Sequence, residues 1–184
     1  MQKKEIRALI FQRRKECTDE QRTKWSHVIA QKVIASEAFA QADTVYAYMD
    51  CKGEVVTKEI IDAAWSLGKR VAVPRVIGPE EMRFYYITSY GDIEPGYFGV
   101  PEPIMHEETE ACSQDALMIV PGVAFDKNRH RCGYGKGFYD RFLAAHPGIR
   151  TVAVAFDFQI VEEVPANRFD IFPQSLVTEN NLYR

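Results

Sequence analysis

The sequence has few cysteines, and they are not spaced as metal ligands usually are. The four cysteines stand far apart, with no C-x-x-C pair and no histidine-rich segment beside them, at positions 17, 51, 112 and 132. This spacing argues against a zinc site, whose ligands usually come in close pairs. A chain of 184 residues can bury enough apolar surface to fold without disulfide bonds. We therefore expect the cysteines to be reduced.

Long apolar runs are also missing. The apolar runs that occur are too short to span a bilayer, so no membrane partner is expected. No apolar export segment precedes the basic start MQKKEIR. Together with the cysteine pattern, these features predict a cytoplasmic protein.

The chain has no excess of positive charge. It carries 23 Lys and Arg against 26 Asp and Glu, a formal net charge of -3. This balance gives no bulk attraction to nucleic acid, and no nucleic-acid partner is expected. The hydrophobic content of 46% and aromatic content of 12% are typical of a globular protein, and the length fits one domain, residues 1–184.

Helical and strand patterns alternate along the chain. Helices are predicted over residues 3–16, 19–35 and 57–67, and within YGKGFYDRFLAAH (residues 134–146), where the helix stops before Pro147. Strands are predicted over residues 44–49, 70–74, 83–87, 116–126, 150–156 and 176–178. Between residues 88 and 103, glycines and prolines predict a long irregular connection, a candidate binding loop or lid. The alternation predicts an α/β domain with a mostly parallel sheet that binds ligands beyond the carboxyl ends of its strands.

The stretch HRCGYGKGFYDRF carries three glycines at alternate positions, Gly133, Gly135 and Gly137, in what we call the glycine loop (residues 133–137). Glycine lets the main chain adopt positive φ and approach a ligand closely. A helix that begins here would point free N–H groups and its positive dipole end at an anion. Lys136 or Arg131 would neutralise the anion's charge, so the glycine loop is predicted to bind phosphate.

Asp140 follows the glycine loop and needs its own explanation. A carboxylate beside phosphate repels it unless a cation lies between them, and Mg²⁺ is commonly held by one or two carboxylates plus phosphate. Asp140 is therefore the first candidate metal ligand. The glycine spacing matches neither the P-loop nor the dinucleotide-binding fingerprint. The alternative interpretation is a glycine-rich turn that caps a helix, with Tyr134, Phe138 and Tyr139 packed in the core.

Two further groups of charged residues are candidates. Lys3, Arg7 and Arg14 share one face of the first predicted helix, as a phosphate clamp or as a solvated basic stripe, and the pattern alone favours the stripe. Glu54 follows the first predicted strand, where it is a ligand-facing carboxylate or an ordinary exposed acid. The histidines are scattered, and none is assigned to catalysis.

Three segments, KKEIR, DCKGEVVT and PGVAFDKNRHRCGYGKGFYDRF, together resemble the 5-formyltetrahydrofolate cyclo-ligase family. The most specific part is the pattern P-G-x-x-F-D-x-x-x-x-R-x-G-x-G-x-G-x-Y-D. It is satisfied by Pro121, Gly122, Phe125, Asp126, Arg131, Gly133, Gly135, Gly137, Tyr139 and Asp140. So many fixed positions do not coincide by chance.

The resemblance implies a fold and a reaction. The fold is a three-layer αβα sandwich with a mostly parallel sheet, related to the ribose-phosphate isomerase and CoA transferase-like fold. The reaction uses ATP and Mg²⁺ to convert 5-formyltetrahydrofolate, with or without a polyglutamate tail, to 5,10-methenyltetrahydrofolate in one-carbon metabolism. ADP and phosphate are released, and a monomer is expected.

The resemblance also implies site residues. The implied ATP contacts are Lys3, Lys4, Glu5, Ile6, Arg7, Arg131, Cys132, Gly133, Tyr134, Gly135, Lys136, Gly137, Phe138 and Tyr139. The implied folate contacts are Met49, Glu54, Phe98, Tyr134, Gly135, Lys136, Gly137 and Phe138. Asp140 and Asp170 would bind Mg²⁺, while Lys136 and Arg131 would stabilise charge during the reaction. The family often has tryptophan where Phe98 stands, and phenylalanine keeps the stacking face but loses the indole N–H.

Two other functions are considered. A sugar-phosphate isomerase or acyl-CoA-type transferase on a similar sheet needs no ATP hydrolysis. A nucleotide sensor or RNA-binding module using the same loop and basic helix would bind ATP or RNA without turning over folate. RNA affinity would then fall steeply with salt, and the negative net charge argues against the RNA version.

Overall fold

A computed structural model describes all 184 residues, apart from the side chains of Phe98 and Glu107. The helices are α1 (Lys3–Glu16), α2 (Asp19–Ile34), α3 (Glu37–Gln41), α4 (Lys58–Ser66) and α5 (Phe138–Ala145). The first strands are β1 (Thr44–Tyr46), β2 (Arg70–Val76), β3 (Met82–Ile87), β4 (Ile93–Pro95), β5 (Pro101–Pro103) and β6 (Ala116–Val120). The remaining strands are β7 (Ala124–Phe125), β8 (Arg131–Cys132), β9 (Arg150–Val154), β10 (Ser175–Val177) and β11 (Leu182–Tyr183). No helix in the described chain is long and apolar enough to cross a membrane.

Seven strands form one central sheet in the order β11-β10-β9-β6-β1-β2-β3. The four inner pairings are parallel, and the two outer strands, β3 and β11, run antiparallel to their neighbours. In register, Val45 pairs with Val71 on one side and Leu117 on the other. The inner strands are mostly apolar, and β6 (ALMIV) is apolar and buried along its whole length, because both faces of the sheet are covered. The predicted mostly parallel sheet is confirmed.

Helices cover both faces of the sheet. On one face, α2, α3 and α4 pack against the sheet through buried side chains that include Ile29, Phe39 and Ile60. On the other face, α5 packs through Leu143 and Phe142. Apolar contact of this kind is the main source of stability in such layers. The result is the three-layer αβα sandwich that the resemblance implied.

Helix α1 lies at the carboxyl edge of the sheet. Its buried residues Ile6 and Ile10 pack against Val123, Ala124 and Cys132, which belong to or flank the small antiparallel ribbon of β7 and β8. The same ribbon leads directly into the glycine loop. Packing of the apolar face of α1 on this ribbon therefore brings its basic face to the glycine loop.

Three predictions about the strands and their connections need correction. The strand predicted over residues 116–126 ends at Val120, before Pro121, and residues 124–125 form β7, which pairs with β8 outside the central sheet. Proline has no N–H to donate to a sheet, so it interrupts the strand.

Strand β1 ends at Tyr46, three residues early, because the Tyr48 carbonyl accepts a hydrogen bond of 2.7 Å from the Thr57 hydroxyl at the start of α4. The predicted irregular connection of residues 88–103 was wrong in part, since β4 and β5 pair there as an antiparallel ribbon. Its prolines lie at the strand ends, where a missing N–H costs little in pairing.

Candidate active site

A cleft of about 1010 Å³ lies at the carboxyl edge of the sheet. Its walls come from the chain after β1 and β6, the end of β2, the N-terminal part of α1, the glycine loop and residues 167–171. Parallel sheets bind ligands at this edge. The predicted site residues that line the cleft are Lys3, Arg7, Met49, Glu54, Arg131, residues 133–140, and Asp170.

The glycine loop presents free main-chain donors. Gly135 has φ +102° and Gly137 has φ +69°, conformations that a side chain would disfavour. Gly137 is the N-cap of α5. No hydrogen bond from the main-chain N–H groups of residues 133–137 is found in the described part of the chain. These donors, next to a helix N-terminus, form a cradle for an anion.

The first two cations of α1 reach the glycine loop and the 167–171 segment. Arg7 Nε donates a 2.7 Å hydrogen bond to the Gly133 carbonyl, and Lys3 Nζ lies 2.8 Å from Asp170 Oδ2. These contacts rule out a merely solvated basic stripe. They place two positive charges beside the free amides of the cradle.

Arg14, the third cation of that face, has a different role. It is buried, and its Nη2 donates a 3.0 Å hydrogen bond to the Gly122 carbonyl while its Nη1 donates a 2.9 Å hydrogen bond to the Tyr134 hydroxyl. The Phe11 ring stacks on Tyr134 with 6.0 Å between ring centroids. Arg14 and Phe11 therefore fix the position of Tyr134 in the glycine loop.

Glu54 is buried beside this group, with only 6% of its surface exposed. Its Oε1 accepts a 3.0 Å hydrogen bond from Tyr134, and its Oε2 accepts a 3.1 Å hydrogen bond from the Cys51 N–H. Burial raises the pKa of Glu54, and the Arg14 charge and these hydrogen bonds only partly oppose the increase. Glu54 is thus not an ordinary exposed acid, and a raised pKa suits a group that handles protons.

Two aspartates lie on the other side of the glycine loop. Asp140 Oδ2 is 2.8 Å from Arg131 Nη2, and Asp140 Oδ1 accepts a 3.1 Å hydrogen bond from the Ile171 N–H. Ile171 directly follows Asp170, so the two carboxylates belong to neighbouring segments. No group of three His, Cys, Asp or Glu side chains that could hold a metal occurs among the described residues. A cation here would need ligand oxygens in addition to these carboxylates.

The charges around Asp170 favour its ionised form. Partial burial opposes ionisation, but hydrogen bonds from Lys3 and the Asn167 N–H, with the charges of Lys3 and Arg131, hold the pKa of Asp170 below its usual value. Asp170 is therefore a carboxylate at neutral pH, as a ligand for a hard cation must be.

Arg131 and Lys136 differ in their environment. Arg131 is buried, its Nε has no hydrogen-bond partner among the described residues, and its guanidinium lies 5.7 Å from the Tyr139 ring centroid. A buried donor without a partner is costly unless a ligand satisfies it. Lys136 is exposed at the rim, with its side chain in no ion pair in the described structure.

The family model of the 5-formyltetrahydrofolate cyclo-ligase family matches residues 1–179. The chain belongs to this family. Two curated 5-formyltetrahydrofolate cyclo-ligases are similar to it over almost their whole length. The Escherichia coli K12 relative is 30% identical over 95% of this chain and 99% of its own, and the Mus musculus relative is 28% identical over 97% and 94%.

A solved structure supports the same assignment. The NMR structure of Aquifex aeolicus 5,10-methenyltetrahydrofolate synthetase is 32% identical, with a TM-score of 0.86, over 100% of this chain and 93% of that chain. The family assignment makes the chain an enzyme of the cyclo-ligase class, and the expected fold is confirmed at the level of a whole chain.

Some residues implied by the cyclo-ligase resemblance are not part of the cleft wall that the described residues form. Ile6 and Cys132 are buried in the core where α1 meets β8. Lys4 is exposed, and Glu5 is also exposed and accepts a 2.7 Å hydrogen bond from the Gln2 N–H at the start of α1. The side chain of Phe98 lies outside the described residues.

The structure gives one residue of the cyclo-ligase motif a supporting role. Asp126 is buried, and its Oδ2 is 2.7 Å from His130 Nδ1 and accepts a 3.0 Å hydrogen bond from the Val164 N–H. Its Oδ1 accepts hydrogen bonds from the N–H groups of Asn128 and His130, at 2.9 and 3.0 Å. Asp126 therefore fixes the turn between β7 and β8, and the motif spacing alone did not distinguish this role from a ligand contact.

Proposed function

We propose that the chain catalyses the ATP- and Mg²⁺-dependent cyclisation of 5-formyltetrahydrofolate to 5,10-methenyltetrahydrofolate, with release of ADP and phosphate. The observation that supports this proposal most directly is the group of free main-chain N–H groups in the glycine loop. They lie between cations on one side and two aspartates on the other. Family membership and the names of the relatives support the folate substrate. The chemistry of the donors supports ATP.

The glycine loop is the proposed site of the ATP phosphates. Its free N–H groups and the N-terminus of α5 offer hydrogen bonds and a positive dipole end. Lys3, Arg7 and Lys136 add positive charge around the glycine loop. The Nε–H of Arg131, which has no partner among the described residues, is available to donate a hydrogen bond. Phosphate oxygens would satisfy donors that the protein leaves free.

The residues present also fit Mg²⁺. Asp140 and Asp170 offer hard carboxylate oxygens in the same cleft, and ATP phosphates would supply further oxygen ligands. The two carboxylates contact Lys3 and Arg131. When Mg²⁺ replaces these cations beside the carboxylates, Lys3 and Arg131 can turn to the phosphates. Bound Mg²⁺ supplies charge neutralisation for the phosphates, which favours attack at phosphorus.

The reaction needs ATP because an amide oxygen is a poor leaving group. We propose that the formyl oxygen attacks the γ-phosphorus, so that an oxygen–phosphorus bond forms and ADP departs. N10 then attacks the formyl carbon and loses its proton to water or to the departing phosphate, and the former formyl oxygen leaves as part of inorganic phosphate. The carbon is left joined to N5 and N10, as the methenyl product requires. No step needs a protein nucleophile.

The side chains of the cleft position the reactants and stabilise charge. Lys136, Arg131 and the loop amides would stabilise negative charge on the transferring phosphoryl group. Glu54, held by Tyr134 and Cys51, would orient the pterin or N10. Met49 contributes an apolar wall for the ring system. Holding ATP and folate in one cleft makes the first step effectively intramolecular.

The test is a turnover assay with 5-formyltetrahydrofolate and Mg²⁺. Absorbance of the methenyl product is followed with and without ATP, and phosphate release is measured in the same samples. We expect methenyl product only with ATP, with one phosphate released per product. Product without ATP would contradict the ATP dependence, and no product, no phosphate release and no ATP binding would favour the isomerase or transferase alternative, which needs no ATP hydrolysis. ATP binding with neither product nor phosphate would favour a nucleotide sensor.

A further inference from the structure

A second buried carboxylate, Glu102, lines the same cleft as the glycine loop. It lies on β5, in the ribbon of β4 and β5, and only 6% of its surface is exposed. Neither the family motif nor the mechanism above uses it. A buried carboxylate in a cleft wall is costly unless it is hydrogen-bonded, so its position needs an explanation.

The cleft wall around Glu102 is apolar. Pro74 and Val76 at the end of β2, Met82 at the start of β3, and Val100 beside β5 line this part. The charged residues of the phosphate cradle come instead from α1, the glycine loop and the 167–171 segment. The cleft therefore has a charged part for phosphates and an apolar part that suits a flat heterocycle.

The two carboxylate oxygens of Glu102 accept fewer hydrogen bonds than they can. Oε1 accepts a 3.1 Å hydrogen bond from the Val76 N–H, whereas Oε2 lies 3.9 Å from Arg75 Nε, beyond hydrogen-bonding distance. No hydrogen bond to Oε2 is found among the described residues. Arg75 Nη1 donates hydrogen bonds of 2.6 Å to Glu94 and 2.7 Å to the Pro103 carbonyl, so Arg75 contributes its charge to Glu102 as a loose ion pair but no hydrogen bond. A carboxylate accepts about four hydrogen bonds, so both oxygens of Glu102 can accept more.

Gly96 makes room for the Glu102 side chain. A Cβ placed on residue 96 would overlap the carboxyl group of Glu102, across the ribbon. The backbone of Gly96 is extended, with φ -120°, so the conformation itself does not require glycine. Space for the Glu102 carboxyl group is therefore the structural reason for glycine at this position.

We infer that Glu102 binds the 2-amino-4-oxopyrimidine edge of the substrate's pterin ring. That edge presents two adjacent N–H donors, N3–H and the 2-amino group, which match the two oxygens of one carboxylate. The inference rests on the proposed function and extends it to substrate specificity. Glu102 is then a specificity residue, and Glu54 acts nearer the glycine loop, where N5 and N10 react.

The experiment compares two substrates, 5-formyltetrahydrofolate and its 2-desamino-2-methyl analogue, which lacks the 2-amino donors. Wild type, Glu102→Gln and Gly96→Ala are assayed with both at saturating ATP and Mg²⁺, and KM for ATP is measured separately at saturating 5-formyltetrahydrofolate. We expect Glu102→Gln to raise KM for the natural substrate roughly ten- to hundredfold and to leave KM for ATP unchanged. The analogue keeps N3–H but lacks the 2-amino donors, so Glu102→Gln should raise KM for the analogue by much less than for the natural substrate.

Two variants, Gly96→Ala and Glu94→Gln, distinguish direct binding of the substrate by Glu102 from a role of Glu102 in holding the β4–β5 ribbon in place. Gly96→Ala displaces the carboxyl group without removing it and should show the same loss of preference for the natural substrate. Glu94→Gln weakens the contact with Arg75 on the same ribbon, but residue 94 does not line the cleft. This variant should keep the wild-type preference for the natural substrate over the analogue.

An equal loss for both substrates in Glu102→Gln would overturn the inference and assign Glu102 to supporting the ribbon. The same loss of preference in Glu94→Gln would overturn it too. Failure of wild type to turn over 5-formyltetrahydrofolate with ATP would instead overturn the proposed function, so the two failures are distinct.

Discussion

Lys3 Nζ lies 2.8 Å from Asp170 Oδ2, although the two residues stand 167 positions apart in the chain. The contact ties the start of α1 to the 167–171 segment across the mouth of the phosphate cradle. Both side chains are mostly buried, with 26% and 14% of their surface exposed. A pair in this setting is screened less than a surface ion pair, and either partner can turn to ATP or Mg²⁺.

Replacement of Lys3 by methionine tests the role of this cation. Methionine keeps the length of the side chain but removes the charge, and a hydrogen bond to a charged group contributes about 1.5–3 kcal/mol. We therefore expect KM for ATP to rise roughly ten- to hundredfold at fixed Mg²⁺. Lys15→Met, an exposed lysine in the last turn of α1, is the control and should leave KM unchanged. Equal values for the two variants would exclude Lys3 from the nucleotide site.

Gly135→Ala tests the glycine loop. The residue has φ +102°, and an added Cβ would lie 3.3 Å from Arg7 Nη2. Gly68→Ala is a matched control, because Gly68 also has positive φ (+74°) but nothing lies within 4 Å of the added Cβ. We expect both variants to lose about 1–2 kcal/mol of unfolding free energy, and only Gly135→Ala to weaken ATP binding, as measured by calorimetry. Unchanged ATP affinity in Gly135→Ala would count against the cradle.

Asp140→Asn tests the metal assignment. A neutral amide is a weaker ligand for a hard cation, so the Mg²⁺ concentration for half-maximal activity should rise at least about tenfold. Asp115→Asn is the control, since Asp115 forms a comparable 2.6 Å ion pair with Arg150 on the surface and does not line the cleft. An unaltered Mg²⁺ titration in Asp140→Asn would mean that Asp140 serves only to hold Arg131.

The raised pKa of Glu54, caused first by burial and opposed by Arg14, predicts a pH effect on stability. A carboxyl group whose pKa is higher in the folded state binds its proton more tightly when folded. Its contribution to stability is complete below the unfolded pKa, about 4.3, and is lost as pH rises through the folded pKa. We expect the unfolding free energy of wild type, relative to Glu54→Gln, to fall as pH rises above that value.

Urea unfolding of both proteins over a pH series measures this difference. Glu163→Gln, at an exposed position, corrects for the loss of one carboxylate from the chain. A difference that stays constant with pH, or that grows in favour of wild type as pH rises, contradicts the raised pKa of Glu54.

Local patterns predicted α1, α2, α4, α5, the inner strands and the glycine loop, because helix caps and apolar periodicity involve residues close in sequence. The five-residue helix α3 was not predicted, since it is too short to show an apolar period. The Thr18 and Gln21 cap, for example, is present with hydrogen bonds of 3.0 and 3.1 Å between the two residues. The burial of Arg14 was not predictable in this way. It depends on Gly122 and Tyr134, which lie 108 and 120 positions away.

The β4–β5 ribbon shows a second limit. Its prolines and glycines predict irregular structure, and no local pattern indicates that Glu102 folds over Gly96 to line the cleft. That arrangement arises only when the ribbon packs on β2. There Arg75 donates a hydrogen bond to Glu94, and the Val76 N–H donates one to Glu102. The resemblance identified the glycine loop and Met49 as parts of the cleft, whereas the place of Glu102 in its wall required the structure.

The central claim is that ATP activates the formyl oxygen itself. The most direct measurement uses 5-formyltetrahydrofolate with ¹⁸O in the formyl group, turned over with ATP and Mg²⁺, and mass spectrometry of the phosphate released. The account predicts that every phosphate carries one ¹⁸O atom, because the formyl oxygen leaves joined to phosphorus. Unlabelled phosphate, with the label recovered in water or retained in folate, would contradict it.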